Sequence, residues 1–194
     1  MPKQMVALFC VMVCALACVF VFFSSASLGS SVSENEQTIW KLEHSYTKQA
    51  YTMKCRETGY AAKVNVIEVE DVPSHIIGVG DFPGVLSCDD GNLATTSTKD
   101  MFDYIKGSGK FTGYNVATYE DGSTLCIRYQ GSATPEANGK TSRWEATCEF
   151  IKGSGRFGGI QGGGSFKGRR LASTPSAGAQ YYIDYDLTYT LPSK

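Results

Sequence analysis

From residue 181 to residue 191 apolar and polar side chains alternate without a break. Tyr181, Ile183, Tyr185, Leu187, Tyr189 and Leu191 fall on one face, and Tyr182, Asp184, Asp186, Thr188 and Thr190 on the other. A period of two marks a half-buried antiparallel strand. Residues 124–130 alternate likewise, with Leu125, Ile127 and Tyr129 on one side, and so do residues 143–151, with Trp144, Ala146, Cys148 and Phe150. Beyond residue 26 no stretch of ten or more residues carries a helical period, so the folded part is expected to be almost entirely β.

An internal repeat suggests how the strands connect. Residues 102–113, FDYIKGSGKFTG, return 46 positions later as residues 148–159, CEFIKGSGRFGG. Each copy predicts a strand, a Gly-Ser-Gly turn and a returning strand, because tight turns demand the positive φ that glycine tolerates. A further hairpin turning at Asp121-Gly122 joins the two copies into a meander. Closing such a meander into a barrel removes its exposed edges, which predicts a single antiparallel eight-stranded closed β-barrel over residues 39–194, beginning near Ile39.

Residues 5–23 carry no charge and follow Lys3. They predict an apolar export helix, either a signal peptide cut after Ala26, with Ser24 and Ala26 as its small residues, or an uncleaved signal anchor. A lipid anchor at Cys18 fits less well, since the apolar run continues past it. The expected organisation is therefore residues 1–26 for export, residues 27–38 as a flexible linker and then the barrel, secreted or periplasmic, touching a membrane only through the first segment.

The 194 residues suffice for one ordinary domain, and 42% hydrophobic content supports a core. Loss of residues 1–26 takes one of the 18 basic residues and none of the 19 acidic ones, leaving a net charge of -2. Such a body has no electrostatic reason to bind nucleic acid. Three of the seven cysteines (Cys10, Cys14, Cys18) lie in the export segment. The other four, Cys55, Cys88, Cys126 and Cys148, permit two disulfides in three connectivities. No CxxC pair occurs, and with His44 and His75 as the only imidazoles no metal site is expected.

Two glycine motifs mislead. Gly153-Ser-Gly155-Arg-Phe-Gly158 matches GxGxxG, yet Ile160-Gln-Gly-Gly-Gly164 follows where a nucleotide site needs a helix. Asn138-Gly139-Lys140-Thr141 resembles the tail of a phosphate loop, but Thr134 stands where its first glycine belongs. No cofactor is therefore expected.

The cysteines also bear on register. A pairing of residues 124–130 with 143–151 centred on residue 137 sets Cys126 opposite Cys148, but unites Leu125, Ile127 and Tyr129 with Glu145, Thr147 and Glu149. Sliding by one residue unites the two apolar sets and brings Arg128 alongside the acids. Burial of a large apolar side chain contributes about 1.5–3 kcal/mol. Several such burials rival the roughly 2–4 kcal/mol of a disulfide, so Cys126 and Cys148 are expected on opposite faces and unbonded.

The turn Ile151-Lys-Gly-Ser-Gly-Arg-Phe-Gly-Gly159, the preceding Tyr119-Glu-Asp-Gly-Ser-Thr-Leu125 and the aromatic last strand resemble the allene oxide cyclase and dirigent superfamily of eight-stranded barrels. Gly78-Val-Gly-Asp81-Phe82, following a strand expected at residues 64–70, is similar to an entry segment of the cyclases, and the resemblance spans about residues 62–192. It implies the barrel and allows an oligomer. Plant cyclases bind their epoxide with the help of a Glu-x-Asn pattern, where this chain has Glu68-Val69-Glu70, so the resemblance implies the fold and not the reaction.

Eight strands enclose room for packed side chains or one small ligand. The stock of 11 Tyr, 10 Phe and 2 Trp suits an apolar interior with polar tips. Tyr104, Leu125, Ile127, Tyr129, Trp144, Phe150, Ile183 and Tyr185 are the candidate ligand-lining residues. Candidate acids or bases are Glu68 and Glu70, then Asp81, Asp103, Glu120, Glu145 and Glu149; an inward carboxylate would have a raised pKa. Neither histidine sits in a triad context. Three functions fit: binding a small apolar or amphipathic molecule, an isomerase or cyclase, or a structural or partner-binding barrel with a filled core.

Overall fold

The computed structural model describes residues 49–172 and 174–193. The export segment and linker, and hence the expected domain start near Ile39, lie outside the described residues. Nine strands follow in chain order: β1 (Ala50–Tyr60), β2 (Lys63–Glu68), β3 (His75–Cys88), β4 (Leu93–Ile105), β5 (Ser108–Tyr119), β6 (Thr124–Pro135), β7 (Ser142–Gly153), β8 (Gln161–Arg170) and β9 (Gln180–Thr190). All pairings are antiparallel; from β3 to β9 each strand lies beside the next, β1 pairs β9 along its length, and β1 closes the barrel on β3. That makes eight strands, β1 and β3 to β9, with β2 outside the closure against the first half of β3.

Side-chain parity sorts the strands from β4 to β7 and β9. On β9 Tyr181, Ile183, Tyr185 and Leu187 are buried while Asp184 and Asp186 are exposed, and β4 to β7 alternate in the same way. The core thus lies inside the closed sheet. The β5–β6 hairpin turns at Asp121-Gly122 as expected, with Gly122 at φ 78° and the Tyr119 amide bonded to the Ser123 carbonyl.

The repeat behaves differently in its two copies. In the first, the turn residues are Lys106 (φ 52°) and Gly107 (φ 80°), while Ser108 and Gly109 already belong to β5. In the second, the chain leaves β7 at Gly153, makes a 3-10 turn over Gly155–Phe157 and returns at Gln161. The expected Gly-Ser-Gly turn is therefore displaced in the first copy and widened in the second. Phe157 is buried there, so its side chain is accommodated by the longer connection.

β6 and β7 adopt the apolar register: Tyr129 faces Cys148, Ile127 faces Phe150, and Arg128 faces Glu149, to which its Nε donates over 2.8 Å. From the disulfide register the slide over residues 127–135 is three positions rather than one, with a bulge between Cys126 and Ile127. Both numbers are odd, so the faces are the same. Cys126 and Cys148 carry free thiols. The remaining pair, Cys55 and Cys88, forms a disulfide across the β1–β3 closure.

Candidate functional site

Glu57 sits on the inward face of β1, in mid-barrel, with no exposed surface. Four donors reach it: Thr96 Oγ1 at 2.8 Å and Tyr181 OH at 2.8 Å on Oε1, and Asn115 Nδ2 at 2.9 Å and Tyr185 OH at 2.9 Å on Oε2. The Tyr181 hydroxyl gets there because Gly59 and Gly84 face each other across β1 and β3; a Cβ on either would occupy its place. Burial pushes the Glu57 carboxyl above its usual range, and the four hydrogen bonds offset part of that effect. Asn115 also donates to Thr98 Oγ1 at 2.7 Å, extending the network along β4.

A second inward carboxyl, Asp100 on β4, stands beside Gly113 of β5, and Gly113 stands beside Tyr129 of β6. The missing side chain at Gly113 leaves room for the Tyr129 ring to cross over, and its hydroxyl donates to Asp100 Oδ1 at 3.1 Å. Burial raises the Asp100 carboxyl to about 7, against the opposing effects of the Tyr129 bond and the Arg170 charge. Arg170 is itself buried, stacked over Tyr104 and Trp144, and donates to the Ala172 carbonyl and Ser142 Oγ. Burial lowers its pKa.

The Glu57 cluster lies between two interior cavities of about 20 Å³ each, room for roughly one water apiece. The upper one, toward the β4–β5 turn, is walled by Phe82, Phe111, Tyr129, Trp144, Phe166, Tyr181 and Tyr185 together with Thr98, Asp100 and Ile183. Trp144 Nε1 is buried and finds no hydrogen-bond partner. The lower one is apolar, lined chiefly by Met53, Leu86, Leu125, Ile127, Phe150 and Leu187. Arg156 covers the Tyr119 and Phe157 rings at that end, and the Tyr119 hydroxyl, raised to about 12 by burial, is also unpartnered.

The eight expected lining residues are all buried, but they divide. Tyr129, Trp144, Ile183 and Tyr185 line the upper cavity; Leu125, Ile127, Phe150 and again Tyr185 line the lower; Tyr104 packs beside Phe102 under Arg170. The expected carboxylates do not come together inside. Glu68 and Glu70 are exposed, Glu68 on β2 outside the barrel and Glu70 beyond its end at φ 67°; Asp103, Glu120, Glu145 and Glu149 are exposed too, and Asp81 pairs with Lys99 at 2.6 Å. Asp103 on β4 and Glu145 and Glu149 on β7 have the opposite parity to their buried neighbours. The inward carboxyls are instead Glu57 and Asp100, neither of which is among those expected acids. Among the described residues no group of three or more His, Cys, Asp and Glu side chains is arranged to hold a metal ion.

No family model matches the chain, and no curated protein matches it. Among solved structures it is similar to the pterocarpan synthase dirigent protein PsPTS1, at 12% identity and a TM-score of 0.43 over 75% of this chain and 97% of that one. The pterocarpan synthase dirigent protein GePTS1 is similar at 11% identity and a TM-score of 0.44, over 75% of this chain and 88% of that one.

Proposed function

We propose that the protein is an exported, cofactor-free barrel that binds a small apolar or amphipathic molecule in the upper half of its interior. The observation that carries this reading is the unpartnered, buried Trp144 Nε1 in the same aromatic-walled cavity as Asp100. An orphaned buried donor costs about 1–3 kcal/mol, a cost that a ligand acceptor removes. The walls supply apolar contact, and the Asp100 and Tyr129 pair supplies a polar handle. As the cavity stands it holds about one water, so the ligand must displace rings on entry.

Titration with 2-naphthol tests this. In a Trp40→Phe variant Trp144 is the sole tryptophan, so saturable quenching of its fluorescence at one equivalent is expected, weakened in Asp100→Asn. No quenching, together with a native mass free of any co-purified molecule, refutes the reading. N-terminal sequencing of the exported protein is expected to begin near Ser27; residues from the first 20 would establish the anchored form.

Two other readings each have an observation behind them. An Asp100 carboxyl near 7, beside the Tyr129 hydroxyl, is poised for acid–base work and favours an isomerase or cyclase. The narrow cavities favour a structural or partner-binding barrel with a filled core.

A further inference from the structure

We infer that the outer face of β4 to β8 is a second binding site, for a neutral, extended, β-linked polysaccharide strand. A groove of about 880 Å³ crosses that face, outside the barrel and separate from the interior cavities. Two rows of side chains line it, each formed by residues directly opposite one another on successive strands. One row runs Met101, Thr112, Gln130, Thr147, Ser165, and its neighbour runs Asp103, Lys110, Ser132, Glu145, Lys167.

The spacing suits a sugar chain. Adjacent strands lie about 4.8 Å apart, close to the length of one pyranose in an extended β-linked chain, so each sugar meets the side chains of one strand. Thr112, Thr147 and Met101 offer methyl groups to the apolar C–H face of the ring. The second row offers groups to the equatorial hydroxyls at its edge.

The charges select the ligand. Asp103, Lys110, Glu145 and Lys167 sum to zero and alternate in sign along the row. A hydroxyl both donates and accepts, so lysine and carboxylate serve it together; a phosphate or an amine would call for one sign. Most of the groups in the two rows are also uncommitted. Gln130, Ser132, Thr147, Ser165, Lys110, Glu145 and Lys167 make no side-chain hydrogen bond or ion pair among the described residues, although Glu145 and Lys167 stand directly opposite each other. Thr112 and Asp103 are the exceptions: Thr112 donates to the Tyr129 carbonyl at 2.8 Å, which fixes its methyl in place, and Asp103 Oδ1 lies 2.9 Å from His75 Nε2.

Calorimetric titration of the purified protein with cellohexaose and with xylohexaose tests the site, using Gln130→Ala/Thr147→Ala as the variant. These positions are exposed, so the thermal melt should be unchanged. Saturable binding of at least one hexasaccharide is expected, weakened roughly tenfold in the variant, with hexagalacturonate bound less tightly. The inference is overturned if neither neutral hexasaccharide binds, if the double variant binds as well as the parent, or if the acidic oligosaccharide binds more tightly. It is equally overturned if light scattering shows a dimer that Thr147→Arg splits, because a second copy would then occupy the groove.

Discussion

Replacing Asp100 by Asn removes a titrating group while keeping the shape of the side chain. Burial raises this carboxyl from 3.8 to about 7, a shift of about three units and hence about 4 kcal/mol at 1.36 kcal/mol per unit. The folded state holds the proton more tightly than the unfolded chain does, so ionisation opposes folding. The stability attached to Asp100 is therefore full below about pH 4 and is lost as pH rises toward 7. Asn cannot ionise, and its Oδ1 can accept the Tyr129 hydroxyl bond as the acid does. The parent and Asp100→Asn should thus have similar stability near pH 4, and the variant should gain about 2–3 kcal/mol relative to the parent between pH 5 and pH 7. Urea denaturation of both proteins at each pH, followed by circular dichroism, measures the difference, and every other titrating group cancels in it. A difference that stays constant from pH 4 to pH 8 would show that Asp100 is ionised throughout, paired with Arg170, and would refute the reasoning.

Gly109 has no left-handed backbone, but a Cβ there would run into the Asp103 carbonyl oxygen, so Gly109→Ala should destabilise by about 1–3 kcal/mol in a thermal melt; an unchanged melt would contradict the packing. His75 is bracketed by Asp71 at 2.5 Å and Asp103 at 2.9 Å, and both carboxylates raise its pKa. Its clamp on the β2–β3 turn should be present below the ordinary histidine pKa of 6.5 and lost as pH rises through the raised value. Amide exchange in residues 69–75, corrected for intrinsic rate, should accelerate across that range, and not in His75→Phe. A non-reduced digest should yield a peptide linking Cys55 to Cys88, with Cys126 alkylated before Cys148, whose thiol burial raises to about 11; a link from Cys126 to Cys148 would require the other register.

Strands with apolar residues on one parity were readable from the chain alone, and β6, β7 and β9 carry their expected faces. β1 was not, because Met53 and Cys55 are its only buried apolar residues and the next inward residue, Glu57, is charged like the outward Lys54 and Arg56, so the contrast is too short to mark a strand. The inner carboxyls were hidden for the same reason. In β4 the inward residues before Phe102 and Tyr104 are Ala94, Thr96, Thr98 and Asp100, a run with one small apolar member. The signal was nevertheless present. Carrying the parity of Phe102 and Tyr104 backward by two residues at a time places Asp100 inside, and the same count places Asp103 outside. Glu57 had no such neighbour to count from, and its role depends on Tyr181, 124 positions away. The bulge at Cys126/Ile127 leaves Ile151 of β7 without a partner, so Ile151 and Lys152 are both exposed and the alternation of β7 breaks at its end.

The Cys55–Cys88 disulfide sits where the barrel closes, and β1 meets β3 there over residues 55–59 and 84–88 alone, whereas it runs beside β9 from Ala50 to Tyr60. This short joint is the natural place for the cylinder to unzip. If it parts, β1 and β3 each present an unpaired edge, and the wall relaxes into an open ribbon able to add strands from other molecules. The covalent link holds shut the one joint with few ladder bonds of its own, so the redox state of the surroundings decides whether the chain persists as a closed cylinder or becomes a template for aggregation. A thiol reductant should therefore cloud a warm solution of the protein well before the rest of the wall melts.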